Sequence, residues 1–335
     1  MRLNAKFVLL MVAAAMGAPN GYHVIRKIKI GGEGGWDYLT MDSAARRLYV
    51  SHATKVVVVD VDAGKIVGEI PDTPGVHGIA LAPEMGRGFT SNGRGNSVTI
   101  FDLKTLKTIA QVKTGENPDA IQYEPLSGRV FTFNGRSKDS TAINPKTHAV
   151  EGTIPLGGKP EFSAEDGKGK IYVNIEDTSE IVEIDARKLA VTKRYSLAPC
   201  EEPSGLAMDT KNRRIFSVCG NKLMAVSDPD AGKVLATPAI GEGSDGAGFD
   251  PGRGLAFSSN GDGTLTVVQE KSGKWEVIEN AATQRGARTI AVDQKTHNLY
   301  LPTAQYGPAP PATAKTPHPR PAILPDTFEI AVVGR

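Results

Sequence analysis

The chain has 335 residues, 40% of them hydrophobic and 23% charged, so its length is ample for a sizeable core. Its 37 Gly and 22 Pro favour many short strands joined by turns over a helical protein. A net charge of +2 decides neither for nor against a polyanion partner, so the distribution of charge matters more than its sum.

The first residues, "MRLNAKFVLLMVAAAMGAPNG", combine a basic start (Arg2, Lys6) with an apolar run from Phe7 to Met16 and small residues after it. This is the layout of a secretory signal peptide, expected to span residues 1–18. Cleavage after Ala15 or after Gly17 fits equally well. The run is too short to cross a bilayer, no other segment approaches that length, and no Cys follows for lipid attachment. The expectation is a periplasmic or secreted protein without a transmembrane segment.

Residues 19–335 read as one domain made of seven copies of one unit. The second strand of each copy begins "LYVSH" at 48, "GFTSN" at 88, "VFTFN" at 130, "IYVNI" at 171, "IFSVC" at 215, "AFSSN" at 256 and "LYLPT" at 299. A third strand of alternating apolar residues follows, as in "VVVVDVDAGKIVGEI", then a turn and a fourth strand. A period of about 40–45 residues with four short strands per copy predicts an all-β, seven-bladed β-propeller with antiparallel blades. The last copy runs out after "TFEIAVVGR", and a surplus strand, "YHVIRKIKI", precedes the first. The N-terminal strand is therefore expected to complete the last blade, where an edge would otherwise stay unpaired.

The strand pattern Tyr/Phe-Val/Thr-x-Asn, with the preceding Pro-x-Gly/Ala-Ile/Leu-Ala and an Asp-rich turn, resembles the YVTN family of β-propellers, the YncE-like proteins. The resemblance covers the whole chain after the leader and implies export. It leaves activity open, because related propellers include surface-layer proteins, lactonases and a streptogramin lyase. The closing Asn stands at Asn92, Asn134 and Asn260, but gives way to His52, Ile175, Cys219 and Thr303. A hydrogen bond at the turn is its expected role.

Aligning the copies places one residue per blade at the head of the inner strand, around the mouth of the central channel. These are Asp37, His77, Asp119, Glu161, Ser204, Asp245 and Arg288. Two readings stand. The ring either holds channel water and backbone N–H groups, or it converges on a ligand or a divalent cation. Catalytic candidates are His77, Arg288 and Asp119; metal candidates are Asp37, His52 and His77. A second circle adds His52, Asn134 and Asn260 as ligand contacts, and Trp36 beside Asp37 offers a stacking face. The insertion at 304–327, rich in Pro, is expected to form a rim on the same face, with Tyr306, Lys315, His318 and Arg320 as contacts.

The opposite face carries basic turns: Arg46 and Arg47, Arg87, Arg129, Lys168, Lys170, Lys211, Arg213, Arg214, Arg253 and Lys295. They suggest a surface for polyanions, although the interleaved aromatics of a nucleic-acid site are missing. "GEGSDG" at 241 matches a dinucleotide fingerprint in letters only, because strand and turn follow it rather than a helix. Cys200 and Cys219 fall on one face of blade five, a disulfide candidate in an exported protein.

Three functions remain on these residues. The first is a monomeric binding protein using the channel mouth for a small molecule, peptide or protein. The second is a lactonase- or lyase-type enzyme there, and the third is polyanion or envelope binding through the basic face.

Overall fold

In the computed structural model, residues 21–311 and 321–335 are described, and they form seven four-stranded antiparallel sheets. The signal-peptide expectation, and Lys315, His318 and Arg320, lie outside the described residues. Among the described residues no helix is long and apolar enough to cross a membrane.

Six sheets run in simple chain order from the inner to the outer strand. The seventh does not: its inner strand Ala291–Val292 and second strand Leu299–Thr303 are followed by Glu329–Gly334, and the outermost strand is His23–Lys29. His23 pairs with Gly334 and Lys29 with Glu329, so the two chain ends close the ring through backbone hydrogen bonds, as the surplus strand predicted.

Alternation along each strand sends apolar side chains to both faces of a blade, and each face packs on a neighbouring blade. The core is accordingly divided among the blade interfaces. Tyr49, Val56 and Val58 of blade one meet Ile79 and Phe101 of blade two. Phe131 and Phe133 of blade three meet Val173 and Val182 of blade four. At the closing interface Leu48, Val50 and Val57 meet Tyr300, Phe328 and Ile330, with Ile28 and Trp36.

The turns explain the frequent acidic residues. In the hairpin between strands three and four, Asp60, Asp102, Asn144, Asp185 and Asp228 each use Oδ1 to accept the N–H groups two and three residues on. These are Asx turns, which satisfy backbone donors that the hairpin leaves unpaired.

The closing Asn residues have a comparable duty inside the sheet. Asn92 accepts from Thr90 and donates to Thr99; Asn134 accepts from Thr132 and donates to Thr141; Asn260 accepts from Ser258 and donates to Thr266. All three are fully buried.

Part of the basic face is ion-paired within the fold. Arg46 donates to Asp62 and to Asp293, the latter at 2.6 Å, and Arg213 to Asp166, Asp230 and the Tyr172 hydroxyl. Arg47, Arg87 and Arg129 each donate to a backbone carbonyl of the next blade, at Leu103, Pro145 and Ala186. Lys170 pairs with Glu183, and Arg214 with Asp228. Much of the cationic charge that suggested a polyanion surface is spent on joining blades.

Cys200 and Cys219 are disulfide-bonded, with Cα atoms 5.7 Å apart, and both are buried. Thiol titration of the unfolded, unreduced protein should find no free thiol. Reduction should lower stability by roughly 3 kcal/mol on the loop-entropy account. The closing strand supports a second prediction. Deleting residues 22–30 exposes the edge of Glu329–Gly334, so the truncated protein should melt earlier and aggregate on size-exclusion chromatography. A stable, monomeric truncation would contradict this.

Candidate functional site

The mouth of the channel is built from a repeated irregularity. In blades two to six the ring residue is second in the inner strand: His77, Asp119, Glu161, Ser204 and Asp245. The register against the second strand shifts there in every case, between Val76 and Ile79, Pro118 and Ala120, Pro160 and Ser163, Pro203 and Leu206, and Ser244 and Gly246. A β-bulge leaves a residue unpaired and re-aims its side chain. That is why a carboxylate such as Asp119 can head a buried strand: it is not on the face that packs between blades. Asp37 and Arg288 take the same place in the loops before Leu39–Asp42 and Ala291–Val292.

Bulges in neighbouring blades bring these side chains into contact. His77 Nδ1 lies 2.6 Å from Asp37 Oδ2 and 3.6 Å from Asp119 Oδ1. Arg288 donates through Nε to Asp245 Oδ2 at 2.7 Å, and its Nη2 is 3.5 Å from Asp37 Oδ1. Lys159 pairs with Glu161 at 2.7 Å and also with Glu176. Asp37, His77 and Asp119 each offer one ligand atom, all within 4.8 Å of one another. Three donors at that separation, two carboxylates and one imidazole, suit a divalent cation with mixed oxygen and nitrogen preference.

The electrostatics show crowding of negative charge. Burial pushes the Glu161 carboxyl up to about 8; the field of Asp119 adds to this and Lys159 opposes it. Burial also pushes Asp119 up to about 6, with Asp37 and Asp245 adding to the rise and His77 opposing it. Asp245 is raised by burial and by Asp37, against the pull of Arg288. For His77, burial favours the neutral ring, but the hydrogen bond to Asp37 and the fields of Asp119, Asp37 and Glu161 carry it up to about 9. The mouth therefore holds protons that ordinary carboxylates would release, and a cation can take their place.

Two aromatic residues complete the mouth. Tyr38 of blade one and Phe162 of blade four are not in adjacent blades, yet their rings are 4.7 Å apart. They meet across the channel axis. Burial raises the Tyr38 phenol well above its usual value, and Asp245, Asp119, Asp37 and Glu161 raise it further, so the hydroxyl lies at the focus of four carboxylates. Both residues follow a ring member directly, where blades two, five and six have Gly78, Gly205 and Gly246. A Cβ at Gly205 would meet the backbone of Asp245, Gly246 and Ala247 within 2.8 Å, so adjacent inner strands approach closely there. Aromatic residues in only two of seven equivalent positions were the available signal.

Other sequence candidates sit elsewhere. His52 does not join Asp37 and His77. It is 3% exposed, its ring lies 4.7 Å from that of Phe328, and neither ring nitrogen has a partner. Gly32, at φ +81°, presses on it: a Cβ there would lie 3.0 Å from His52 Cε1. Asp119 occupies the place in the trio that the sequence suggested for His52. Asn134 and Asn260 are consumed within their hairpins, and Ser204 Oγ donates to the Ser244 carbonyl. Trp36 is a wedge at the closing interface, stacked on Phe328 at 4.8 Å, and it also lines a cleft beside the mouth. Tyr306 lines that cleft too, in the stem of the Pro-rich insertion, where it forms a β-bridge with Ile323.

No protein-family model matches this chain, and no curated protein matches it in sequence. Among solved structures it is similar to Kuenenia stuttgartiensis hydrazine synthase, with a TM-score of 0.70 and 16% identity, covering 85% of this chain and 96% of that one. At that identity the likeness speaks for the fold alone. The seven-bladed architecture is shared, and the narrower YVTN resemblance rests on the repeat residues.

The raised pKa of Glu161 has a definite consequence for stability. A group that binds its proton more tightly when folded contributes fully below its unfolded pKa, about 4.5, and loses that contribution as pH rises through about 8. Asp119 and His77 act with the same sign. The melting temperature should therefore fall by several degrees from pH 5 to pH 9, and Glu161→Gln should flatten the fall. A wild-type curve that rises across this range would refute the assignment.

Proposed function

We propose that this chain is an exported, monomeric binding protein whose channel mouth holds a divalent cation and presents it to a small molecule, peptide or protein partner. One observation carries the reading: Asp37, His77 and Asp119 converge within 4.8 Å in a mouth where Asp119, Glu161 and Asp245 are all raised. Excess buried carboxylate is costly unless a cation or a proton offsets it. Three protein ligands would leave at least one position of a tetrahedral site for water or a bound group. The disulfide supports an oxidising compartment, as does the resemblance to exported propellers. The ion-paired basic face weighs against polyanion binding.

A second reading at the same mouth is a lactonase- or lyase-type reaction. It is favoured by Arg288, which is anchored by Asp245 beside the trio and is placed to stabilise a developing oxyanion. His77 or Asp119 would then move the proton. Turnover of a lactone panel separates the two readings.

Calorimetry with Zn²⁺ and Mn²⁺, on protein first stripped with chelator, tests the cation. Wild type should bind one ion, and Asp119→Asn and His77→Ala should each weaken binding by at least about tenfold. Ser204→Ala, which removes a hydroxyl engaged with a backbone carbonyl, should leave affinity unchanged. No binding by wild type, or full affinity in both site variants, would sink the proposal.

A further inference from the structure

A cleft of about 700 Å³ opens beside the mouth, where blades six, seven and one meet. Its size falls in the range of small-molecule sites. One part of its lining is apolar: Trp36 and Tyr306, whose rings are tilted by 53° with centroids 6.5 Å apart, with Pro321 and Ile323. The other carries Arg285 and Arg288 with Asp245. Glycines keep the space open. Gly286, at φ +84°, lets Tyr306 lie directly against the backbone, where any Cβ would collide with its ring and hydroxyl. Gly35 on the opposite side has nothing within 4 Å of the point its Cβ would occupy.

Charge in the cleft is unequally spent. Arg288 is held by Asp245 and Asp37, so that group is internally balanced. Arg285 is exposed, and among the described residues its guanidinium has no ion-pair partner; only its carbonyl is used, accepting from Thr303. A second observation is independent of charge. Trp36 is 8% exposed, and its indole Nε1 is buried with no hydrogen-bond partner. A buried donor without an acceptor is costly, and the residue that carries it lines this cleft.

We propose that this cleft binds a small organic anion with a flat apolar body, its charge held by Arg285 and its face packed on Trp36 and Tyr306. The guanidinium offers a planar fork that matches a carboxylate, and it stacks on ring systems as readily as it pairs. Trp36 and Tyr306 together supply the apolar contact on the other side of the ligand. The cleft adjoins the cation trio through Arg288, which lines it and lies 3.5 Å from Asp37, but its occupation does not depend on a cation being bound.

The chain has two tryptophans, Trp36 and Trp275, so Trp275→Phe leaves Trp36 as the only indole reporter. Para-nitrobenzoate is the probe, because a nitroarene quenches indole emission on contact. The neutral para-nitrobenzyl alcohol and the cationic para-nitrobenzylamine are its controls. In excess chelator, para-nitrobenzoate should quench Trp36 saturably and bind about tenfold more tightly than the alcohol, with the amine weakest. Arg285→Ala in the same background should abolish the preference for the anion while leaving the circular dichroism and melting temperature unchanged. Trp36→Phe, measured by calorimetry in the wild-type background, should weaken the anion several-fold. Linear, unsaturable quenching would overturn the proposal. So would a preference for the anion that survives in Arg285→Ala, or one that appears only when a divalent cation is added.

Discussion

A propeller blade has no core of its own, so the closing of the ring is the constraint on which the rest of this molecule depends. Each four-stranded sheet buries side chains on both faces, and each needs a neighbour on both sides. The pairing of His23–Lys29 with Glu329–Gly334 supplies the last neighbour by tying the two chain ends into one blade. Trp36, Phe328 and Tyr300 are packed only because blade seven has been completed. The cleft beside Trp36 lies at this junction.

Closure also fixes where charge ends up. On one face, arginines between strands one and two reach across the blade boundary, to carboxylates as from Arg46 to Asp293, or to carbonyls as from Arg47 to Leu103. These bonds are charge-assisted and partly shielded from water, so they tie blades together more strongly than exposed pairs would. On the other face, bulges at the strand heads turn a carboxylate, an imidazole or a guanidinium toward the axis. The result is a face on which Arg46, Arg129 and Arg213 are ion-paired, and a mouth with carboxylate in excess.

That excess gives the mouth its chemical character. In water, Asp37, Asp119, Glu161 and Asp245 would all ionise at neutral pH. Gathered around one channel, Asp119, Glu161 and Asp245 are raised by burial and by the carboxylates near them, and His77, Arg288 and Lys159 compensate only in part. Tyr38, next to Asp37 in the chain, has its phenol raised by burial and by these carboxylates. A cation would offset this excess, whereas the proposed anion site in the neighbouring cleft rests on Arg285, which has no ion-pair partner among the described residues.

The sequence by itself determined what repeats. A strand period of two and a copy length near 40 residues specify blades, their number, the surplus strand that closes them and the seven positions at the mouth. The cysteine pair was legible for the same reason, since two positions in one copy have a fixed relation. The tertiary structure decided everything that depends on how copies face one another. From the repeat, His52 was the metal candidate beside Asp37 and His77, but packing against Phe328 and Gly32 holds His52 apart, while Asp119 lies 3.6 Å from His77. The meeting of Tyr38 with Phe162, more than a hundred residues apart in the chain, follows from the ring's diameter. The anchoring of Arg46, Arg129 and Arg213 follows from carbonyls and carboxylates supplied by adjacent blades. Periodicity assigns each residue a place within its blade. Contacts across blade boundaries and across the axis are set by ring closure, which no single copy encodes.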